Sequence, residues 1–355
     1  MFITPIKLML NLGIFVALST SLRAEVFPLP PADVDVIGAV TTVRATAADT
    51  FVDIARRHGL GYNDMVRANP DVDPWLPGEG TQIMLPTQFV LPDAPRRGVV
   101  LNLPEYRLYY FLPAKGKAPA RVMTFPISIG RMDWETPLGK TRVVAKSERP
   151  SWYPPESIRK EHAEAGDPLP RVVPPGPDNP LGDYALRLGL PGYLIHGTNR
   201  PAGVGMRVTH GCIRMFPEDI AVFFASLPVG TPVRIVNQPV KLGWLNDALY
   251  VEAHVPLGMP ATVAPASDGV ADANAVAGAD ADSIAPPDTN LAELDELADG
   301  EVDLTLMMRA FVAATRERQA DADWQRMEAA VFAGLGVPVA VGVEVQTVSV
   351  TQSSD

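Results

Sequence analysis

Apolar and polar positions repeat with different periods along this chain, and the changes of period divide it. Lys7 precedes a mostly apolar run from Leu8 to Leu18 and a polar exit ending in Ala24. A basic start, a dozen or so apolar residues and a small exit residue form a secretory signal pattern, shorter than the roughly 20 residues of a membrane span. Residues 1–24 are therefore expected to be a signal peptide cleaved after Ala24, an uncleaved anchor being the other reading. Residues 25–40 are dotted with proline and read as a linker. From 41 to 86 the period shifts. A short strand at Thr42–Arg44 leads to a helix capped by Asp49 or Thr50, running through Phe51, Ile54 and Ala55 to Gly59. A second helix carries Met65 and Val66 and stops at Asn69 before Pro70, and a strand follows at Gln82–Leu85. Strand, helix, helix, strand is the order of a small independent module. His58 reads as a helix-end residue satisfying last-turn carbonyls.

Residues 97–237 alternate as strands do. The segment GVVLNLPEYRLYYFL predicts a hairpin around Pro104 and Glu105, and further β runs fall at 122–129, 141–145, 184–188, 194–196 and 233–236. One helix is predicted, Pro217–Ser226, with Glu218 and Asp219 in its first turn. Many short strands with few helices give a mainly β fold class with a sandwich or barrel-like core. The proline-rich interval 149–182, with a short polar helix at 156–165, reads as a flap over a site; Trp152 and Tyr153 could equally be core residues. A strand extension is expected at 238–258. Helical periodicity returns from Leu304 to Phe332, inside a C-terminal helical segment and tail at 293–355. The final apolar run is broken by Gly334, Gly336, Pro338 and Glu344 and does not read as a membrane span.

Charge sharpens these divisions. The chain has 355 residues and a formal charge of −11. From Ala261 to Asp303 there is no Lys or Arg, while acids recur from Asp268 onward, so residues 259–292 read as an acidic disordered linker. No basic stripe is available to neutralise phosphates, which argues against a nucleic-acid partner.

The chemistry concentrates between Tyr193 and Met215. That stretch holds the only cysteine, Cys212, and two of five histidines, His196 and His210. Unpaired thiols are uncommon in exported proteins, and a thiolate beside an imidazole is a good nucleophile. A buried inert cysteine is the bland alternative. Gly211 lets the backbone turn sharply before Cys212 and lets a carbonyl approach its amide. In an extended strand His210 and Cys212 would share a face, whereas His196 reaches the thiol only from a neighbouring strand; spacing alone does not choose the base. Arg214 could favour the thiolate or hold a substrate carboxylate, or could simply pair with Glu218 or Asp219. A metal site is disfavoured because the adjacency of His210 and Cys212 crowds a tetrahedral ion, so neither metal nor cofactor is expected.

The segment IHGT followed by THGCIRM closely resembles the active-site signature of YkuD-type L,D-transpeptidases, and SIGRMDWETPLGKTRV resembles a strand-and-turn element of that fold. The resemblance implies a YkuD-like β-sandwich with Cys212 as nucleophile. It would attack the carbonyl joining diaminopimelate to the terminal D-alanine of a tetrapeptide stem, and an amine would then resolve the thioester. It further implies His196 as general base, with the Gly197 carbonyl holding its other ring nitrogen. His210 would shape an oxyanion hole with Gly211 and Cys212, and Thr209 would fill the small-hydroxyl position. Tyr193, Thr198 and Arg214 are the candidate substrate contacts. The subgroup most resembled is periplasmic and attaches a lysine-terminated outer-membrane lipoprotein to peptidoglycan. Residues 41–86, through TVRATAADTFVDIARRHGL, MVRANP and LPGEGTQIMLP, resemble a LysM module, which implies binding to peptidoglycan glycan. Two alternatives stand beside transpeptidation: a hydrolase passing the same thioester to water, and a wall-binding protein with an idle thiol.

Overall fold

The computed structural model describes residues 25–131, 134–258 and 304–345. The expected signal peptide and the acidic linker lie outside these residues. Residues 25–40, expected as a linker, carry two strands: β1 (Glu25–Pro28) and β2 (Val36–Gly38). Alternating half-buried residues let β1 add to a sheet edge despite its terminal proline, because an edge residue need not donate on both sides.

Next come β3 (Thr41–Arg44), α1 (Phe51–Arg57), α2 (Tyr62–Ala68) and β4 (Gln82–Leu85), with β3 and β4 antiparallel. Thr50 caps α1: its hydroxyl accepts from Asp53 N while Asp53 accepts from Thr50 N, a reciprocal pair contributing about 1 kcal/mol. Asp49, the other expected cap, instead accepts from Thr46 N and pairs with Arg57 at 2.6 Å. Asn69 ties the end of α2 to β4 through Met65 O, Met84 O and Met84 N. The βααβ unit is not independent. After β5 (Gln88–Val90), which pairs with β2, its buried Phe51, Ile54, Met65 and Ile83 join one cluster with Val100, Tyr109, Phe111 and Val122 of the next sheet. A unit this small buries too little of its own apolar surface, and the back of the larger sheet completes its core.

That sheet has nine strands in the order β1-β8-β7-β6-β15-β10-β11-β12-β14. Its new members are β6 (Gly98–Asn102), β7 (Arg107–Leu112), β8 (Arg121–Pro126), β10 (Gly139–Glu148), β11 (Tyr184–Leu188), β12 (Leu194–His196), β14 (Ile213–Arg214) and β15 (Pro232–Val236), while β9 (Ile129–Gly130) and β13 (Arg207–Thr209) form a short parallel pair. Strand β10 belongs to both halves: Gly139–Arg142 pairs with β15, and after an irregularity between Val143 and Ala145 the rest pairs with β11. The halves close on one core, in which Leu101, Leu108 and Phe125 meet Leu186, Ile195 and Ile213. Into it packs α4 (Pro217–Ser226) through Ile220 and Phe223, while α3 (Glu156–Glu164) stands in the proline-rich excursion. The result is a mainly β sandwich.

The C-terminal part is a unit of its own. Strands β16 (Val240–Leu245) and β17 (Ala248–Ala253) form a hairpin, followed by α5 (Leu304–Ala314), β18 (Ala320–Ala322), α6 (Trp324–Ala333) and β19 (Val339–Glu344). The sheet order β16-β17-β19-β18 corrects the expectation of a helical segment and tail, because the alternating VAVGVE of β19 slots between β17 and β18. A core of Trp244, Leu249, Val251, Met307, Met327 and Val341 holds it. No helix among the described residues is long and apolar enough to cross a membrane. A buried ionic knot fastens this unit to the sandwich: Lys241 Nζ meets Glu105 at 2.8 Å, Glu252 at 2.9 Å and Val90 O at 2.7 Å, and His254 meets Glu252 at 2.6 Å.

Candidate active site

Cys212 sits one residue before β14, which runs parallel to β12 with Ile195 opposite Ile213 and His196 opposite Arg214. The chain reaches the cysteine through a bend in which Gly211 adopts φ +92°. A Cβ there would stand 2.9 Å from the Tyr193 ring, so position 211 excludes side chains on both conformational and steric grounds. Three hydrogen bonds set the bend: Thr209 Oγ1 donates to Cys212 O at 2.6 Å, Thr136 Oγ1 donates to Gly211 O at 2.9 Å, and Gly130 N donates to Thr136 Oγ1 at 3.2 Å. Gly130 lets this strand end approach so closely, since a Cβ there would lie 2.9 Å from Gly211 Cα. The thiol donates to Gly192 O at 3.6 Å.

His196 is buried, and its Nδ1 lies 2.6 Å from Gly197 O. A carbonyl only accepts, so Nδ1 carries the proton and Nε2 is left with its lone pair. Burial, then the Arg214 charge, push the His196 pKa down to about 3, against the Gly197 bond. Burial also pushes the Cys212 thiol up, opposed by the Leu194 backbone and by Arg214. At neutral pH the resting pair is thus thiol and neutral imidazole, a state suited to general-base activation rather than to a standing thiolate.

His210 is not on the thiol's strand face. Because Gly211 turns the chain, the extended geometry expected for 210–212 does not form. His210 Nε2 lies 3.0 Å from Glu161 Oε2, and its ring meets the Trp134 ring edge-to-face at 5.2 Å. Glu161 stands on α3 and takes Arg131 Nη2 on its other oxygen at 2.8 Å. The proline-rich excursion therefore reaches the site with a carboxylate. Its aromatics divide: Tyr153 is 69% exposed, and Trp152 is half-buried with its backbone bridged to Val173.

The remaining candidates fall as follows. Arg214 is half-buried, and its backbone exchanges hydrogen bonds with Ser128. Glu218, one expected partner of Arg214, is held by Arg56 of α1 at 2.7 and 2.9 Å. Tyr193 lies against Gly211 and donates to Glu135 O at 3.3 Å. Thr198 is buried, and its hydroxyl accepts from Arg200 N at 2.9 Å. Gly197 packs under Ile220. Sequence reasoning missed Glu161, Arg131 and the role of Thr136. Only Thr136 left a trace, in the turn sequence around Pro137. The N-terminal unit also touches this region: Tyr62 N donates to Val204 O at 3.2 Å, on the loop between the two histidines. Among the described residues one cluster has metal-capable side chains, Glu105, Glu252 and His254. The Lys241 ammonium lies within ion-pair distance of both carboxylates, where it would repel a cation.

A free cysteine on a sandwich edge, with a buried imidazole on the adjoining strand, is the equipment of a cysteine-dependent enzyme. Residues 96–235 match the YkuD family, the L,D-transpeptidase catalytic domain. The chain is 41% identical over 256 residues to the probable L,D-transpeptidase ErfK/SrfK of Escherichia coli strain K12, covering 71% of this chain and 81% of that one. To the probable L,D-transpeptidase YcfS of the same strain it is 42% identical over 248 residues, covering 68% and 76%. The solved catalytic domain of an E. faecium L,D-transpeptidase aligns at 20% identity over 41% of this chain and 100% of that one, with a TM-score of 0.30. The chain belongs to the YkuD L,D-transpeptidase family, acyltransferases with a cysteine nucleophile, and Cys212 is its only cysteine.

Proposed function

We propose that Cys212 attacks the carbonyl between diaminopimelate and the terminal D-alanine of a peptidoglycan tetrapeptide stem, with the Nε2 of His196 taking the thiol proton. The C–N bond to D-alanine breaks, the proton passes to the leaving amine, and a thioester remains on Sγ. An acceptor amine then resolves it. The observation that carries this reading is the tautomer of His196, whose Nδ1 bond to Gly197 O leaves a lone pair on Nε2, one strand away from the thiol. The acceptor is either the lysine of an outer-membrane lipoprotein or the side-chain amine of another stem. The IRM ending of the cysteine motif supports the lipoprotein.

The βααβ unit acts as a LysM-type glycan binder. Its strand-helix-helix-strand order and the stacked rings of Tyr62 and Trp75, 5.7 Å apart, support that role. The expected leader at 1–24 and the wall substrate support a periplasmic location. Incubating the protein with disaccharide-tetrapeptide, with and without a lysine-terminated peptide, and weighing the products tests the transfer reaction. Loss of D-alanine with a gain of the peptide's mass is the expected result; release of D-alanine at the parental rate by Cys212→Ala would refute it. A product lighter by D-alanine alone would mean hydrolysis.

A further inference from the structure

Both peptide planes that flank Cys212 are pinned by threonine hydroxyls. Thr209 Oγ1 donates to the Cys212 carbonyl at 2.6 Å, and Thr136 Oγ1 donates to the Gly211 carbonyl at 2.9 Å. The first bond is local to the bend. The second comes from a buried residue 75 positions earlier in the chain than Gly211. Gly130 N donates to the same Thr136 oxygen at 3.2 Å. That bond occupies a lone pair and leaves the hydroxyl's single proton committed to Gly211 O.

The plane that Thr136 holds is one that would otherwise turn easily. Gly211 has no Cβ and sits at φ +92°, so the peptide between it and Cys212 has more freedom than one between two ordinary residues. The bond is trans, which sets its C=O and N–H in opposite directions. Fixing the carbonyl toward Thr136 therefore aims the Cys212 N–H away from Thr136. Among the described residues no backbone acceptor takes that amide. It is a donor on the same residue as Sγ, and a carbonyl under attack places its developing negative oxygen within reach of the nucleophile's own amide.

We propose, on the basis of the transpeptidase reading above, that Thr136 is the positioning residue of the oxyanion donor. Its hydroxyl holds the Gly211–Cys212 peptide so that the Cys212 amide meets the negative oxygen formed during acylation. Sγ bonds to the stem carbonyl carbon, the carbonyl π pair moves onto oxygen, and the thiol proton goes to His196 Nε2. The Cys212 N–H donates to that oxygen. The pair then returns to carbon, the C–N bond to D-alanine breaks, and the proton on His196 passes to the leaving nitrogen. Thr136 acts in this scheme only through the peptide plane it holds.

The test compares two reactions of the same sulfur in the full chain. Release of D-alanine from disaccharide-tetrapeptide passes through an oxyanion, whereas alkylation of Cys212 by iodoacetamide displaces iodide at a saturated carbon and forms none. Thr136→Val, close in shape but without the donor, should lower kcat for release at least about tenfold, with KM and the alkylation rate each within about threefold of the parent. Thr136→Ser, which keeps the hydroxyl, should bring release back to within about threefold of the parent. A residue that merely braced the bend would change both reactions together. That result, unchanged release in Thr136→Val, or no recovery in Thr136→Ser overturns the assignment. Thr136→Ala carries the same comparison if a urea titration finds Thr136→Val poorly folded. If the parent protein is alkylated but releases no D-alanine, the transpeptidase reading fails first and takes this assignment with it.

Discussion

The two sides of the nucleophile are built by different means. On the sheet side, His196 and the approach to Cys212 are set by backbone ladders, the β12–β14 pairing and the hydroxyls of Thr136 and Thr209. On the flap side, His210 meets Glu161 of a surface helix, itself paired with Arg131, and the ring of Trp134. Ladders inside a packed core hold a fixed distance, whereas side-chain pairs near solvent can yield to an incoming molecule. In the proposed reaction thiol activation falls to the rigid side, which carries His196.

Breaking the rigid side should cost most. His196→Ala is expected to slow D-alanine release by about 10²–10⁴-fold, the usual contribution of a general base, while leaving the fold intact. The companion measurement is a pH profile: with its pKa near 3, His196 keeps its lone pair throughout the mildly acidic range, so release should show no acid limb near 6.5. Asp219, buried in the first turn of α4, comes next. Burial, then Glu218, raise its pKa to about 7. The folded state then binds a proton that the unfolded chain has lost, so stability falls as pH rises from about 4 to 7. Asp219→Asn should therefore stabilise the protein by a few kcal/mol at pH 8 and by far less at pH 4, read from urea midpoints. His196 has the opposite sign: the unfolded chain takes its proton first, and stability falls as pH drops below about 6.5.

Thr136→Val should come third. It leaves the Gly211 carbonyl and the Gly130 amide without their shared hydroxyl, at a cost of about 1–3 kcal/mol in unfolding free energy and with slower D-alanine release. The smallest effect belongs to the flap. Tyr153→Ala, at a 69% exposed position, should shift stability by no more than about 0.5 kcal/mol in the same urea experiment. A large loss there would mean that the flap is as firmly built as the sheet.

The same division governs how much the sequence disclosed. Cys212, His196, Gly211 and Thr209 lie in one short stretch, where residue type and spacing carry the chemistry. Glu161 lies in a polar helix 51 positions before Cys212, and nothing local distinguishes it from Glu156 or Glu164. Only the folding of the proline-rich excursion brings it to His210. Strand alternation revealed the sandwich, and the cap and stop residues of α1 and α2 marked those helices within a residue or so. Pairing was not legible. Nothing local says that β1 will add to β8, or that β19 will insert between β17 and β18, because such partners are chosen by distant apolar faces. The independence expected of the βααβ unit failed for the same reason: its core is finished by Val100, Tyr109 and Phe111.

The insertion of β19 has a practical corollary. The C-terminal sheet takes β16 and β17 from before residue 259 and β18 and β19 from after residue 303, so strands distant in sequence meet in it by non-covalent pairing. A protease cut anywhere between those points would give two pieces on a denaturing gel that still co-elute under native conditions. Deleting residues 304–345 outright would bare one edge of the remaining hairpin and strip its face, inviting it to pair with another chain.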